Sequence, residues 1–246
     1  MGNRANSAKD SASKVVTTDS RRDKNKVKDT GPENAGYPWR IETWFSDLTD
    51  VQKLKFKKFH GELIKHNKTM DLISAKSLPL VDALFFADSI IASQLIASSA
   101  IVDEIYDLGS GSGFPGIVYA ILNPKTKVFL VEADQKKVEF LKIAVAACDL
   151  KNCSVIGRTI ESLPEKSIKF AMSRGVTGIA KLLLMTRKQV VMGGKLYHLK
   201  GEGWATEIAS IPTQLCSFWT PGLVGEYRLS LGEIKFAVVK TDKIAD

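Results

Sequence analysis

Between two apolar runs, Ile101 to Tyr106 and Gly116 to Leu122, lies Asp107-Leu-Gly-Ser-Gly-Ser-Gly-Phe-Pro-Gly116, and no other stretch restricts the chain so severely. Gly109, Gly111 and Gly113 stand at alternate positions. They let the main chain turn tightly with no Cβ in the way, so that a flat or polar ligand can lie on the backbone itself. The run before the turn predicts a strand and the run after it a helix, with Pro115 in the first helical turn, where its missing N–H costs nothing. Strand, glycine turn and helix in that order begin a nucleotide-binding βα unit.

Gly111, Gly113 and Gly116 also satisfy the dinucleotide pattern G-x-G-x-x-G, which alone is a weak signal. Asp107 separates the readings. A pyrophosphate wants the bare positive end of a helix, and a carboxylate at the loop entrance repels it. A ligand carrying an ammonium and a sulfonium is attracted instead. S-adenosylmethionine has both, together with a ribose whose hydroxyls need an acceptor. Glu132 closes the next strand-like run, Val128 to Glu132, at the spacing expected of a ribose-binding acid.

Residues 1–36 contain no Leu, Ile, Phe, Trp or Tyr and set eight basic against five acidic residues among Ser, Asn, Thr and Gly. Such a segment buries too little apolar area to offset its chain entropy, and it is expected to be a disordered basic leader. It has no continuous apolar core of the kind a signal peptide or membrane anchor needs. Residues 37–246 are expected to form one domain, a helical part over 37–98 followed by an α/β core over 99–246. Cys148, Cys153 and Cys216 show neither metal-ligand spacing nor an even count, which favours a reduced, cytoplasmic setting without a bound metal.

After Tyr37 the pattern is helical first and alternating later. Thr49-Asp-Val-Gln52 reads as a capping box opening a helix through His66, with Val51, Leu54, Phe59 and Leu63 on one stripe and lysines opposite. A second helix, about 79–96, is apolar on most sides and is expected to be buried. Strand-like runs follow at 101–107, 128–132, 154–157, 169–172 and 195–199, with later ones near 214–219 and 233–240; helix-like runs lie at 115–122, 135–148 and 176–188. That rhythm predicts an α/β fold with a doubly wound, mostly parallel sheet. Asp107, Glu132, Arg158, Arg174 and Lys200 all fall at the carboxyl ends of its strands, where such sheets bind ligands.

Several segments together resemble the ribosomal RNA small subunit methyltransferase G family, also called glucose-inhibited division protein B. They are Lys65-His-Asn-Lys-Thr-Met-Asp-Leu72, Ala87-Asp-Ser-Ile90, the glycine loop with its Phe-Pro-Gly ending, Lys136 to Leu141, Arg158-Thr-Ile-Glu161, Ser173-Arg174 and Leu199-Lys-Gly201. The likeness spans about 44–240. It implies a class I, Rossmann-like methyltransferase with N-terminal helices that moves a methyl group from S-adenosylmethionine to N7 of a guanine in the 530 loop of 16S rRNA. Carried over by position, Gly109 and Phe114 meet the cofactor, Ile160 and Glu161 line its adenine, and Arg174 closes the pocket. An extra residue between Arg158 and Glu161 leaves Thr159 as the alternative to Ile160. Phe86 stands where the family has a His, and Lys169 where it has an Asp.

Asp107, Gly111 and Glu132 complete the expected cofactor set. Asn67, Lys68, Arg158 and Lys200 are candidates for the RNA, whether met as 16S rRNA or as the 30S particle, by a monomer. No general base is expected, because guanine N7 carries a lone pair and no proton; Arg174 and Lys200 then serve to orient. Asn67 reads equally well as a helix terminator. The lysines at 53, 55, 57, 58, 65 and 68 suit an RNA backbone in a chain of formal charge +8, and equally a solvated helix face. A same-fold methyltransferase of a protein or small molecule, and a non-catalytic RNA-binding module that keeps the pocket, are the alternatives.

Overall fold

The computed structural model describes residues 36–232 and 235–246, so the expected leader lies outside the described residues except for Gly36. A short helix α1 (Ile41–Trp44) leads into the long α2 (Asp50–Met70). The capping box is present: the Gln52 N–H donates to Thr49 Oγ1 at 3.3 Å, and the Thr49 N–H donates to Gln52 Oε1 at 3.0 Å. The helix runs one turn past His66 and stops where Asp71 adopts φ 47°. Its inner face is Phe56, Phe59, His60, Leu63 and Ile64. Val51 and Leu54, expected on that stripe, are 64% and 54% exposed; they sit on the first turns, where the stripe that meets the core has not yet begun.

The expected second helix is buried but not uniform. A 3-10 turn (Leu78–Leu80) and a π-helical turn (Asp82–Ala87) precede α3 (Asp88–Ser99). The buried Asp82 anchors this stretch to the segment before α1, since Arg40 grips its carboxylate through Nε and Nη2, both at 2.8 Å.

From residue 104 the chain alternates: β1 (Glu104–Leu108), α4 (Gly116–Leu122), β2 (Lys127–Val131), α5 (Gln135–Ala147), β3 (Cys153–Ile156), β4 (Ile168–Arg174), α6 (Ile179–Thr186) and β5 (Val190–Lys200). Then come α7 (Trp204–Ala209), α8 (Thr213–Cys216), β6 (Trp219–Arg228) and β7 (Lys235–Lys243). The strands form one sheet in the order β3-β2-β1-β4-β5-β7-β6. Only β7 is antiparallel, to both β5 and β6. The doubly wound, mostly parallel sheet expected from the alternation is therefore present, and its order reverses between β1 and β4, the switch point at which such sheets bind ligands. One apolar cluster lies between the sheet and α2 to α5, and a second lies on the α6 side around Ile168, Leu183 and Trp219.

The strand expected near 214–219 is instead the helical turn α8, begun behind Pro212, with the strand starting only at Trp219. Pro221, Gly222 and Gly225 disguise β6; a proline is tolerated there because, among the described residues, β6 pairs with β7 alone and is an edge strand.

Replacing Arg40 by Ala leaves the buried Asp82 carboxylate with the main-chain N–H of residue 40 but no countercharge, and should cost about 3 kcal/mol. Thr49→Ala removes only an exposed cap and should cost about 1 kcal/mol. Both are read as a shift of the urea midpoint at constant slope. Equal losses would contradict the role given to the buried pair.

Candidate functional site

The glycine loop is pinned to the sheet by its main chain. The Gly109 and Ser110 N–H groups donate to Val131 O at 2.9 and 3.0 Å, and the Gly113 N–H donates to Ser110 O at 2.7 Å. Gly109, Gly111 and Gly113 take φ of 72°, 54° and 92°, a region that costs a side chain dearly, so the alternate glycines do what their spacing predicts. Their surroundings differ. A Cβ on Gly109 would collide with Val176, one on Gly113 would lie 2.6 Å from Ile117 Cδ1, and one on Gly116 would collide with Leu130 and Asp107. At Gly111 the nearest heavy atom would be 3.8 Å away, a main-chain oxygen of Gly109. Gly111 is therefore where the loop leaves room for a ligand against its backbone.

Glu132 stands beside that room. Its Oε2 accepts from the Gly111 N–H at 2.8 Å, while Oε1 accepts from the Ala133 and Asp134 N–H groups, each at 2.9 Å. The carboxylate is thus held by main-chain donors at the end of β2. Asp134 caps α5 through the Lys136 N–H at 2.9 Å, which fixes the turn that carries Glu132.

Asp107 is placed otherwise than expected. Instead of facing a ligand at the loop entrance, it lies fully buried beneath the loop, and Oδ2 accepts from the Gly116 N–H at 3.1 Å. Oδ1 has no hydrogen-bond partner among the described residues. Burial pushes the carboxyl up to about 7. The cause is local: the penultimate side chain of β1 points under the turn, where the start of α4 takes it as an N-terminal acceptor.

Phe114 is also buried, 5% exposed, against Phe59, Phe85 and Phe86 with ring centroids 4.9, 5.4 and 4.9 Å away. Phe86 itself is fully buried and packs on Trp39 and Phe114, an apolar wedge between the helical part and the loop. Ile160 is buried with Leu108 and Val131 at the ends of β1 and β2. Arg158, Thr159 and Glu161 around it are exposed. Lys169 is exposed beside the Phe170 ring, at the opposite end of β4 from its Ser-Arg ending.

Two strand-end cations, Arg174 and Lys200, are engaged. Arg174, which ends β4, pairs through Nε with Asp88 Oδ2 at 2.9 Å. Lys200, which ends β5, pairs with Glu207 Oε1 at 2.8 Å and donates to Thr177 O at 3.2 Å. Glu207 also accepts from the Ile179 N–H at the start of α6, tying α7 to the loop that follows β4. Asn67 uses both ends of its amide on the Ile73 main chain, at 2.6 and 3.1 Å, the helix-terminating alternative of its two readings. Lys68 beside it is exposed.

Sequence reasoning misses Asp88 and Glu207. A signal exists for Asp88, because a charge inside an otherwise apolar helical run is rarely buried without a partner. Glu207 has none, since nothing local marks the fold of α7 back onto α6.

The family model described as rRNA small subunit methyltransferase G matches residues 52–218. Ribosomal RNA small subunit methyltransferase G 3 of Bdellovibrio bacteriovorus is 56% identical over 208 residues, covering 84% of this chain and 94% of the relative. The ribosomal RNA small subunit methyltransferase G of Laribacter hongkongensis is 31% identical over 188 residues, 74% of this chain and 89% of the relative.

The buried acid generates a pH prediction. Asp107 ionises near 3.8 when unfolded and near about 7 when folded, so between these values the folded chain holds the extra proton. Its contribution to stability is full below about 4, falls as pH rises to about 7 and is level above. His60 and His198 act in the opposite sense, because burial pushes them down to about 4 and about 3, and the unfolded chain then binds more protons below 6.5. Comparing the wild type with Asp107→Asn at each pH cancels the histidines. The variant should gain on the wild type steadily from pH 4.5 to 7 in urea titrations, then stop gaining; a constant difference would show that Asp107 is already ionised in the fold.

Proposed function

The chain belongs to the rRNA small subunit methyltransferase G family, and from that premise we propose that it methylates N7 of a guanine in the 530 loop of 16S rRNA, with S-adenosylmethionine as donor. The observation that carries the reading is the room over Gly111 with the Glu132 carboxylate at its edge. That combination suits a nucleoside whose ribose needs an acceptor and whose body lies on bare backbone.

Bound S-adenosylmethionine supplies an electrophilic methyl on a sulfonium. Gly109 and Gly111 offer the floor of the pocket, Glu132 receives the ribose, and Ile160 with Thr159 and Glu161 flanks the adenine. Phe114 acts from behind, by stiffening the loop, and Asp107 acts from below. Arg174 closes the side toward the helical part. Nothing in this set has to remove a proton, since N7 attacks through an in-plane lone pair. Alignment of the two reactants can account for roughly 7–11 kcal/mol of barrier lowering. Lys200 and Arg158 at the strand ends, with Lys68, are suited to phosphate contacts that fix the base in line.

The test is methylation of 30S particles and of free 16S rRNA with labelled S-adenosylmethionine, followed by mapping of the modified base. The expected product is a 7-methylguanine in the 530 loop. Single-turnover rates should stay nearly flat from about pH 6 to 8.5, because no general base titrates. A rise with an apparent pKa near 7 that vanishes on replacing one ionisable residue would transfer the reaction to a proton-bearing acceptor.

A second expectation concerns the exposed lysines of α2. Lys58, Lys65 and Lys68 are exposed, whereas Lys55 donates to Asp149 O at 3.2 Å. Changing the three exposed lysines to Gln should flatten the log–log salt dependence of RNA binding by about 0.7–0.9 for each phosphate that is no longer neutralised. Cofactor affinity should not move. An unchanged slope would make this face solvated surface only.

A further inference from the structure

Arg174 is held by more than one partner, and all of them come from the helical part. Besides its pair with Asp88, Nη2 donates to Leu84 O at 2.6 Å, and the guanidinium carbon lies 4.6 Å from the centre of the Phe85 ring. The acceptor arises from the π-helical turn. In an α-helix the Asp88 N–H would bond Leu84 O; here it bonds the carbonyls of Ala83 and Phe85, and the Leu84 carbonyl receives the guanidinium. Such turns are uncommon and concentrate at functional sites, because the irregular register frees main-chain groups for other partners.

Asp88 has a second neighbour. Its carboxylate is buried, 2% exposed, and while Oδ2 pairs with Arg174, Oδ1 accepts from the Tyr227 hydroxyl at 2.6 Å. Tyr227 lies on β6 and is itself steadied by stacking on Phe236 of β7, ring centroids 5.8 Å apart at 20°. Burial pushes the Asp88 carboxyl up, against the opposing pull of Arg174 and the Tyr227 hydroxyl. A relay therefore runs from the edge of the sheet, through the first residue of α3, to the guanidinium at the end of β4. Arg174 keeps 23% of its side chain exposed, and Nη1 makes no side-chain hydrogen bond among the described residues.

A buried ion pair is weak evidence for stability, because desolvation offsets most of its attraction. Orientation is what this arrangement does well. Two contacts from one side, with an aromatic face below, fix the plane of a guanidinium, and a planar fork recognises a carboxylate only when that plane is set. We propose that Asp88 and Tyr227 are positioning residues for methyl transfer, aiming the unspent donors of Arg174 at the carboxylate of the bound cofactor and offsetting its charge beside the reacting centre. The inference rests on the methyltransferase reading of this pocket. The π-helical turn is then the part of the helical segment that makes the docking of Arg174 possible.

The test uses the full chain and Tyr227→Phe, which keeps the stacked ring and removes only the hydroxyl. S-adenosylhomocysteine binding is measured by calorimetry and S-adenosylmethionine KM and kcat with 30S particles, each in the wild type and in an Arg174→Lys background. Thermal melting is followed alongside. Loss of a hydrogen bond to a charged group should weaken S-adenosylhomocysteine binding about tenfold and raise the cofactor KM by a similar factor, with RNA affinity unchanged. In Arg174→Lys no fork remains to be aimed, so the same change should cost less than about twofold. Asp88→Asn should repeat the pattern. Equal losses in both backgrounds, or an Arg174→Lys variant that binds S-adenosylhomocysteine like the wild type, would overturn the proposal. If the wild type binds S-adenosylhomocysteine and shows the coupling but does not methylate 30S particles or 16S rRNA, the assigned substrate fails while the positioning role stands.

Discussion

A carboxylate without access to water, Asp107, bonded to the Gly116 N–H, holds the turn on which the rest of the site depends. Burying an acid is costly unless its oxygens are satisfied, and one of these two is not. The proton affinity rises in consequence, to about 7. What the cost secures is position. Gly116 has no side chain because Leu130 and Asp107 already fill that volume, so β1, β2 and α4 meet with no slack. With the loop fixed from below at Gly116 and from the β2 side through Val131 O, Gly111 is the loop glycine over which space is left.

The helical part is not an appendage to that turn. Phe114 leaves the loop and enters a cluster with Phe59 of α2 and with Phe85 and Phe86 of the π-helical turn. A Cβ on Gly113 would come within 3.0 Å of Phe59. Edge-to-face and tilted aromatic contacts of this kind prefer defined geometry, so the cluster sets where the loop stands relative to α2. Phe86 belongs to this seal. Phenyl at this position needs no hydrogen-bond partner and packs on Trp39, Phe56, Phe59 and Phe114, beside the His60 imidazole whose buried Nε2 has no partner among the described residues.

Local signals carry most of what is legible in the chain. The capping box of α2, the alternating glycines and the strand-helix rhythm as far as β5 each depend on a few neighbouring residues, and each is present as read. Features set by distant partners are not legible. The expected buried face of α2 is displaced toward Val51 and Leu54 because periodicity tells which residues share a stripe but not where along the helix the core begins. The edge strand β6 is hidden by Pro221 and two glycines, which punctuate a sequence but are tolerated where one side of a strand is unpaired. Asp107 is legible as important but not as buried, since the face a strand-end side chain takes is decided by the turn that follows. The choice between the two readings of Asn67 depends on Ile73, six residues away, whose main chain it clasps.

The charges around the pocket follow one pattern. Two of the cations at strand ends have carboxylate partners, Asp88 for Arg174 and Glu207 for Lys200, while Arg158 is exposed. Glu132, by contrast, is held by main-chain N–H groups and carries its charge against dipoles alone. On the methyl-transfer reading this asymmetry has a purpose, because positive charge moves from sulfur onto the purine and a bare guanidinium nearby would oppose it. Fixed dipoles and charges help only where they favour the charge that develops, and they do so best when already oriented before the reaction. A site that keeps its arginine and lysine for positioning while cancelling much of their field with neighbouring carboxylates can hold an anionic cofactor end and an RNA backbone without raising the barrier to forming a cationic product.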